Sequence, residues 1–171
     1  MNLMNRIKPV PQKLVQGSEN VVLGTLGTAG FRIVAKDLDG ALSYFAFDML
    51  CDKLSKKADV CAKSAEGSVA ITLSVSDEIP SEVEKNANQA YSIKVSGDKA
   101  DITGYGPEGL YYGVTTFLQC VEICDNVISV PEFELLDWPD LKTRGHFMEC
   151  RFGSNLMKLD DWRRLLTIWL E

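Results

Sequence analysis

At 171 residues the chain has room for one domain, or for one domain and part of another. Hydrophobic residues make up 46% of it and charged residues 25%, so a packed core is expected. A net charge of −6 without any basic run argues against nucleic acid and anionic membrane surfaces as partners. No segment reaches the roughly 18 apolar residues of a membrane-spanning helix.

The N-terminus, "MNLMNRIKPVPQ", is broken by Pro9 and Pro11 and has no signal-peptide apolar core. As written, the chain is expected to stay in the cytoplasm, while the localisation of any longer parent is left open. "ENVVLGTL" and "GFRIVAK" read as short strands separated by glycine and threonine. Asp37 or Asp39 can then cap a helix whose apolar face is Leu42, Phe45, Ala46, Met49, Leu50 and Leu54, at spacings of three and four. Val69, Ile71, Leu73 and Val75 alternate along Ser68 to Ser76, which predicts a strand. "YSIKVSGDKADITG" predicts a hairpin turning at Gly97-Asp98. A second helix is predicted from Glu108 to about Cys124, with Leu110, Val114, Phe117, Leu118 and Val121 on one face. "VISVPEFELLDWP" reads as extended, and Pro131 is expected to confine it to an edge strand or to break it. The order β-β-α-β-β-β-α-β predicts an α+β fold, a mostly antiparallel sheet with helices packed on it, and not a doubly wound one.

Five cysteines (Cys51, Cys61, Cys120, Cys124, Cys150) are an odd number, unlike a disulfide framework. Cys120 and Cys124, four apart on the predicted helix, would hold their Cβ atoms about 5–6 Å apart, too far for a disulfide. As metal ligands they lack partners, since the single histidine, His146, has no cysteine pair near it. The cysteines are therefore expected to be buried small apolar residues, and no structural metal is expected.

Gly104, Gly106 and Gly109 in "TGYGPEGLYYG" show the spacing G-x-G-x-x-G of a dinucleotide-binding turn. That turn needs a parallel β-α-β unit. Here the preceding strand follows a tight hairpin and is antiparallel to its neighbour. Glu108 would put a carboxylate in the first helical turn, where phosphates would arrive, and Pro107 suits a plain helix start. Glu132 or Glu134 falls at a plausible distance along the chain for a ribose contact. The favoured reading is that the glycines let a strand turn sharply into a helix lying close on the sheet, with no cofactor.

Several segments together resemble glycoside hydrolase family 20, the β-N-acetylhexosaminidases. They are "IKPVPQKL" (Ile7 to Leu14), "YSIKVSGDKADITGYGPEGLYYGVTTFLQ" (Tyr91 to Gln119) and "LLDWPDLKTRGHFME" (Leu135 to Glu149). The resemblance covers nearly the whole chain and is most specific in the hairpin and helix. It implies a small non-catalytic α+β domain, residues 1–138, ahead of a (β/α)8 catalytic barrel that opens at residues 139–171. "RGHFMECRF" (Arg144 to Phe152) would be the first barrel strand and Asp160 to Glu171 the first barrel helix, with Trp162, Leu165, Leu166 and Trp169 at helical spacing. A barrel needs about 200–250 residues, so this chain would hold only its opening unit.

The activity that the resemblance implies for a longer parent is exo-acting and substrate-assisted. The substrate's own 2-acetamido oxygen attacks the anomeric carbon while an adjacent aspartate and glutamate orient the amide and protonate the leaving oxygen. That pair would lie beyond this chain. Asp77-Glu78 in "VSDEIPSE" is read instead as a solvated turn. Arg151, at the end of the first barrel strand, is the candidate for binding sugar hydroxyls with its fixed fork of donors. It lies seven residues after Arg144, where the family pattern has eight, and an exposed arginine or an ion pair with Glu149 is the competing reading. "ECRFG" also looks like a strand end of glycoside hydrolase family 84, through Glu149, Phe152 and Gly153, and leaves open a non-catalytic carbohydrate-binding or scaffold module of such an enzyme. The expected partners are the remainder of the chain's own barrel and an amino-sugar glycoside. His146 is expected to be a packed strand residue.

Overall fold

The computed structural model describes residues 3–145 and 158–170. A short helix α1 (Leu3–Arg6) leads into a sheet of eight strands: β1 (Lys13–Thr25), β2 (Thr28–Ala29), β3 (Phe31–Lys36), β4 (Val69–Val75), β5 (Tyr91–Ser96), β6 (Lys99–Gly104), β7 (Glu122–Cys124) and β8 (Val127–Asp137). The helices are α2 (Gly40–Ala58), α3 (Pro107–Cys120) and α4 (Leu159–Leu170). The strands run in the order β2-β1-β8-β5-β6-β4-β3, with β7 also on β8.

The sheet is mixed: most of its pairings are antiparallel, as expected, and two at one edge are parallel, which the expectation did not include. β3–β4 and β4–β6 pair in parallel. The remaining neighbours are antiparallel, including the predicted hairpin β5–β6. The cause is α2: a 19-residue helix carries the chain back to the starting end of the sheet, so β4 must run alongside β3 in the same direction. Both long helices lie together on one face, packed against each other, so the fold is not doubly wound. The opposite face carries Ser74, Thr103, Lys94 and Glu134, tied by Ser74–Thr103 and Lys94–Glu134 contacts.

On the covered face the alternation is regular. Val69, Ile71 and Leu73 of β4, Ala100 and Ile102 of β6, Tyr91, Ile93 and Val95 of β5 and Phe133 and Leu135 of β8 are all buried. Against them α2 lays Ala46, Leu50, Leu54 and Ala58, one every four residues, and α3 lays Leu110, Val114, Phe117 and Cys120. Asp39 occupies the N-cap of α2 without a side-chain cap hydrogen bond, and Asp59 closes the helix in the left-handed region. Phe45, expected on the buried face, is 52% exposed and stacks on Tyr111 instead, its ring 6.1 Å away.

Two further expectations are corrected in the second half. The second helix ends at Cys120, where Val121 turns extended, and residues 122–124 form β7. Asp125 and Asn126 both take positive φ and close a tight β7–β8 hairpin, as such turns require. β8 is an interior strand despite Pro131. It pairs with β1 on one side and with β5 and then β7 on the other. Pro131 falls in the gap between the β5-paired and β7-paired stretches, beside a register break in β1 between Gln16 and Asn20. An imino acid with no N–H is tolerated there because no ladder hydrogen bond is lost. Beyond that bend the ribbon reaches the far ends of β3 and α2: Gly30 N–H donates to Leu23 O at 2.7 Å and Gly27 N–H to Ala58 O at 2.8 Å.

Residues 159–170 are helical, as their spacing predicts. Residues 146–157, which would form the first barrel strand, lie outside the described residues, and with them His146, Glu149, Cys150 and Arg151.

Candidate functional site

The glycine turn is filled by the protein itself. Gly104 ends β6, Gly106 is the N-cap of α3, and Gly109 lies in its first turn behind Pro107 and Glu108. A Cβ at Gly104 would lie 2.2 Å from the Leu110 nitrogen, one at Gly106 2.4 Å from the Asn88 carbonyl oxygen, and one at Gly109 2.0 Å from the Ala90 carbonyl oxygen. All of these obstacles are backbone. The space a pyrophosphate would need is taken by the start of β5 and the turn before it. Glu132 and Glu134 lie on the opposite face of the sheet, where Glu132 accepts the Gly97 N–H at 2.9 Å and Glu134 meets Lys94. They cannot reach the N-terminus of α3, so the glycines serve close helix–sheet packing.

Where the chain leaves the sheet, a cavity of about 370 Å³ opens beside Tyr91, Thr116, Asp137, Trp138, Tyr112 and Arg144. Asp137 ends β8 in the inward register of Phe133 and Leu135 and is only 8% exposed. Its Oδ1 accepts the Gln12 N–H at 3.0 Å and its Oδ2 accepts the Tyr91 hydroxyl at 2.8 Å. The Tyr91 oxygen lies 2.7 Å from Thr116 Oγ1, so the threonine hydroxyl completes the chain of hydrogen bonds. Burial pushes the Asp137 carboxyl above its ordinary range, against the lowering effect of the Gln12 and Tyr91 hydrogen bonds. Burial, and then the Asp137 charge, push the Tyr91 phenol well up, so it remains a donor. With both oxygens engaged, this carboxylate joins β8, β5, α3 and the N-terminal segment. Each of its oxygens holds one structural hydrogen bond, which fixes the carboxylate in place.

The segment after Asp137 is held from several sides. Asn86 Nδ2 donates to Pro139 O at 2.7 Å, Gln89 Nε2 to Lys142 O at 2.9 Å, and Lys85 pairs with Asp140 at 2.8 Å. Arg144 places its guanidinium 5.0 Å from the centre of the Tyr112 ring. Asp77 and Glu78 sit exposed in the loop after β4, the solvated position expected of them. Among the described residues no three His, Cys, Asp or Glu side chains gather as metal ligands do.

The cysteines divide in a way that corrects the expectation. Cys51 and Cys120 are buried, but Cys61 and Cys124 are exposed, and Cys124 shares no helix with Cys120. Burial raises the Cys51 thiol and pushes Cys120 up to about 12, whereas hydrogen bonding from Ser64 lowers Cys61. A maleimide at neutral pH is expected to label Cys61 first and Cys124 next in the folded chain, and Cys51 and Cys120 only after unfolding. Peptide mass spectrometry reads the order, and rapid native labelling of Cys120 would contradict the packing of α3.

Comparison with solved structures places this fold among glycoside hydrolases. It superposes on a chitobiase of Flavobacterium johnsoniae with TM-score 0.64 at 18% identity, covering 83% of this chain and 22% of that one. The family 20 β-N-acetylhexosaminidase of Streptomyces coelicolor A3(2) gives TM-score 0.60 at 20% identity, covering 82% and 27%. The protein CpGH84D gives 0.60 at 17%, covering 81% and 24%. No curated protein sequence matches the chain significantly. The family model for glycosyl hydrolase family 20, domain 2, matches residues 4–138, and the chain belongs to that family. It spans about a fifth to a quarter of the length of the enzymes it superposes on.

Proposed function

We propose that this chain is the N-terminal part of an exo-acting β-N-acetylhexosaminidase that works by substrate assistance with retention at the anomeric carbon. Residues 1–138 form its non-catalytic domain, and residues 139–171 open its catalytic barrel. The observation that carries this reading is the family match over residues 4–138. In the longer protein the acetamido oxygen of the substrate is the nucleophile, and the Asp-Glu pair that orients it and protonates the leaving group is contributed from beyond residue 171. Arg151 binds sugar hydroxyls, and the domain described above buttresses the barrel.

Two features support the buttress role. The helix pair exposes Phe45 (52%), stacked on Tyr111, which in turn meets Tyr112, an aromatic patch suited to burial against another domain. The segment leading to that domain is fixed by Asn86, Gln89 and Lys85, so its direction of departure is set. The shared fold with CpGH84D keeps a second reading available, in which the same domain serves a family 84-like glycosidase.

The longer protein is expected to release single N-acetylglucosamine units from chitobiose, with the β-anomer formed first when followed by proton NMR. This chain alone is expected to release none. An α-anomer formed first would overturn the retaining mechanism, and no release by a folded longer protein would overturn the activity.

A further inference from the structure

A cavity of about 460 Å³ lies between α1, α2 and α3, and its lining is unlike that of a chain carrying a net charge of −6. Arg6, Lys53, Lys56 and Lys57 border it around Met49 and Leu118, and no carboxylate is among its lining residues. Arg6 and Lys56 have counter-ions outside the cavity. Arg6 pairs with Glu122 and also donates to Val121 O at 2.9 Å, and Lys56 pairs with Asp52 at 2.7 Å. Lys57 is half-buried and joins no ion pair among the described residues. Its ammonium is held below the ordinary lysine range, first by burial and then by the charges of Arg6 and Lys53. A cation in that position is costly until an anion joins it. The volume falls within the range of small-ligand sites.

We propose that this cavity binds an oxyanion (carboxylate, phosphate or sulfate) with Lys57 as its principal contact and Arg6 and Lys53 at its sides. The apolar floor of Met49 and Leu118 suits an anion carried on an apolar stem. The inference is independent of the glycosidase reading, because it rests on the charge and shape of the helix pair alone.

Thermal unfolding of this chain in sodium sulfate, set against sodium chloride at equal ionic strength, tests it. Sulfate is expected to raise Tm saturably beyond chloride, by roughly 3–6 °C at ten times its Kd. Lys57→Met is expected to abolish the saturable part of that difference, leaving only the general stabilisation that sulfate gives any folded chain, and Lys53→Met to weaken it, which keeps the test available should the first variant fold poorly. A sulfate response with no saturable part in both this chain and the longer protein, or an undiminished saturable response in Lys57→Met, would overturn the site. The longer protein separates the sources. If a free anion is the ligand, it responds to sulfate as this chain does. If one of its own carboxylates fills the cavity, sulfate gives no saturable shift there, while Lys57→Met lowers Tm in the longer protein and not in this chain. Either result supports an oxyanion at Lys57.

Discussion

Replacing Gly109 by alanine is expected to destabilise the chain by roughly 2–3 kcal/mol, the cost of overpacking a tight contact. Helix propensity alone predicts the opposite sign, because alanine is favoured over glycine in a helix interior by about 1 kcal/mol. The decision rests on what the new methyl group would meet. It would lie 2.0 Å from the Ala90 carbonyl oxygen and 3.0 Å from its carbon, atoms at the threshold of β5. Neither can rotate aside as a side chain would, so α3 would have to lift from the sheet and loosen Leu110, Val114 and Phe117 with it. Gly113 serves as the control. A Cβ there meets only side-chain atoms, Ile102 Cγ2 at 3.0 Å and Tyr91 Cδ2 at 3.2 Å, so Gly113→Ala is expected to change stability by under about 1 kcal/mol. Urea unfolding of the two variants measures both. A Gly109→Ala chain more stable than the parent would contradict the assignment of these glycines to packing.

Removing the Asp137 side chain is expected to cost about 3 kcal/mol, since Asp137→Ala leaves the buried Tyr91 hydroxyl and the Gln12 N–H without their acceptor. Asp137→Asn keeps one acceptor oxygen for Gln12 and an amide for the Tyr91 hydroxyl, and is expected to stay within about 1 kcal/mol of the parent near neutral pH. The two differ again in pH dependence. Burial raises the folded-state pKa of Asp137 above its ordinary 3.8, so the folded chain binds this proton more tightly than the unfolded chain. The contribution of this group to stability is therefore fully present below the unfolded value and declines as pH rises through the folded one. Asp137→Asn removes that decline. Unfolding midpoints measured from pH 3 upward check the sign, and an Asp137→Ala chain as stable as the parent would show that the hydrogen-bond chain contributes nothing.

Local pattern carried much of this fold. Alternation placed β4, β5 and β6, and three-and-four spacing placed α2 and α3, because those periods follow from backbone geometry. The parallel pairings were not legible, since strand direction depends on where α2 returns the chain. Pro131 misled for a related reason: whether a missing N–H matters depends on which side of β8 is unpaired at that residue, and only the partners decide it. Phe45 satisfied the apolar spacing yet faces outward, where it meets Tyr111. Asp137 left a usable signal, an acid in the inward register of Phe133 and Leu135, two residues past the last apolar position. Tyr91, in phase with Ile93 and Val95, left the matching one. The cation-lined cavity left none, because Arg6 and Lys57 lie far apart along the chain and meet only when α1 folds beside α2. The antiparallel hairpin and Glu108 in the first turn of α3, the two features that argue against a dinucleotide site, both stand in the fold.

The proposed activity depends on chemistry performed by the acetamido group of a substrate. The direct measurement is the rate at which the longer protein hydrolyses an aryl 2-acetamido-2-deoxy-β-glucoside beside the matching aryl β-glucoside. Family 20 membership with substrate assistance predicts turnover of the first and none detectable of the second, because a 2-hydroxyl cannot supply the internal nucleophile. Equal cleavage of the two, or cleavage of the glucoside alone, would contradict it.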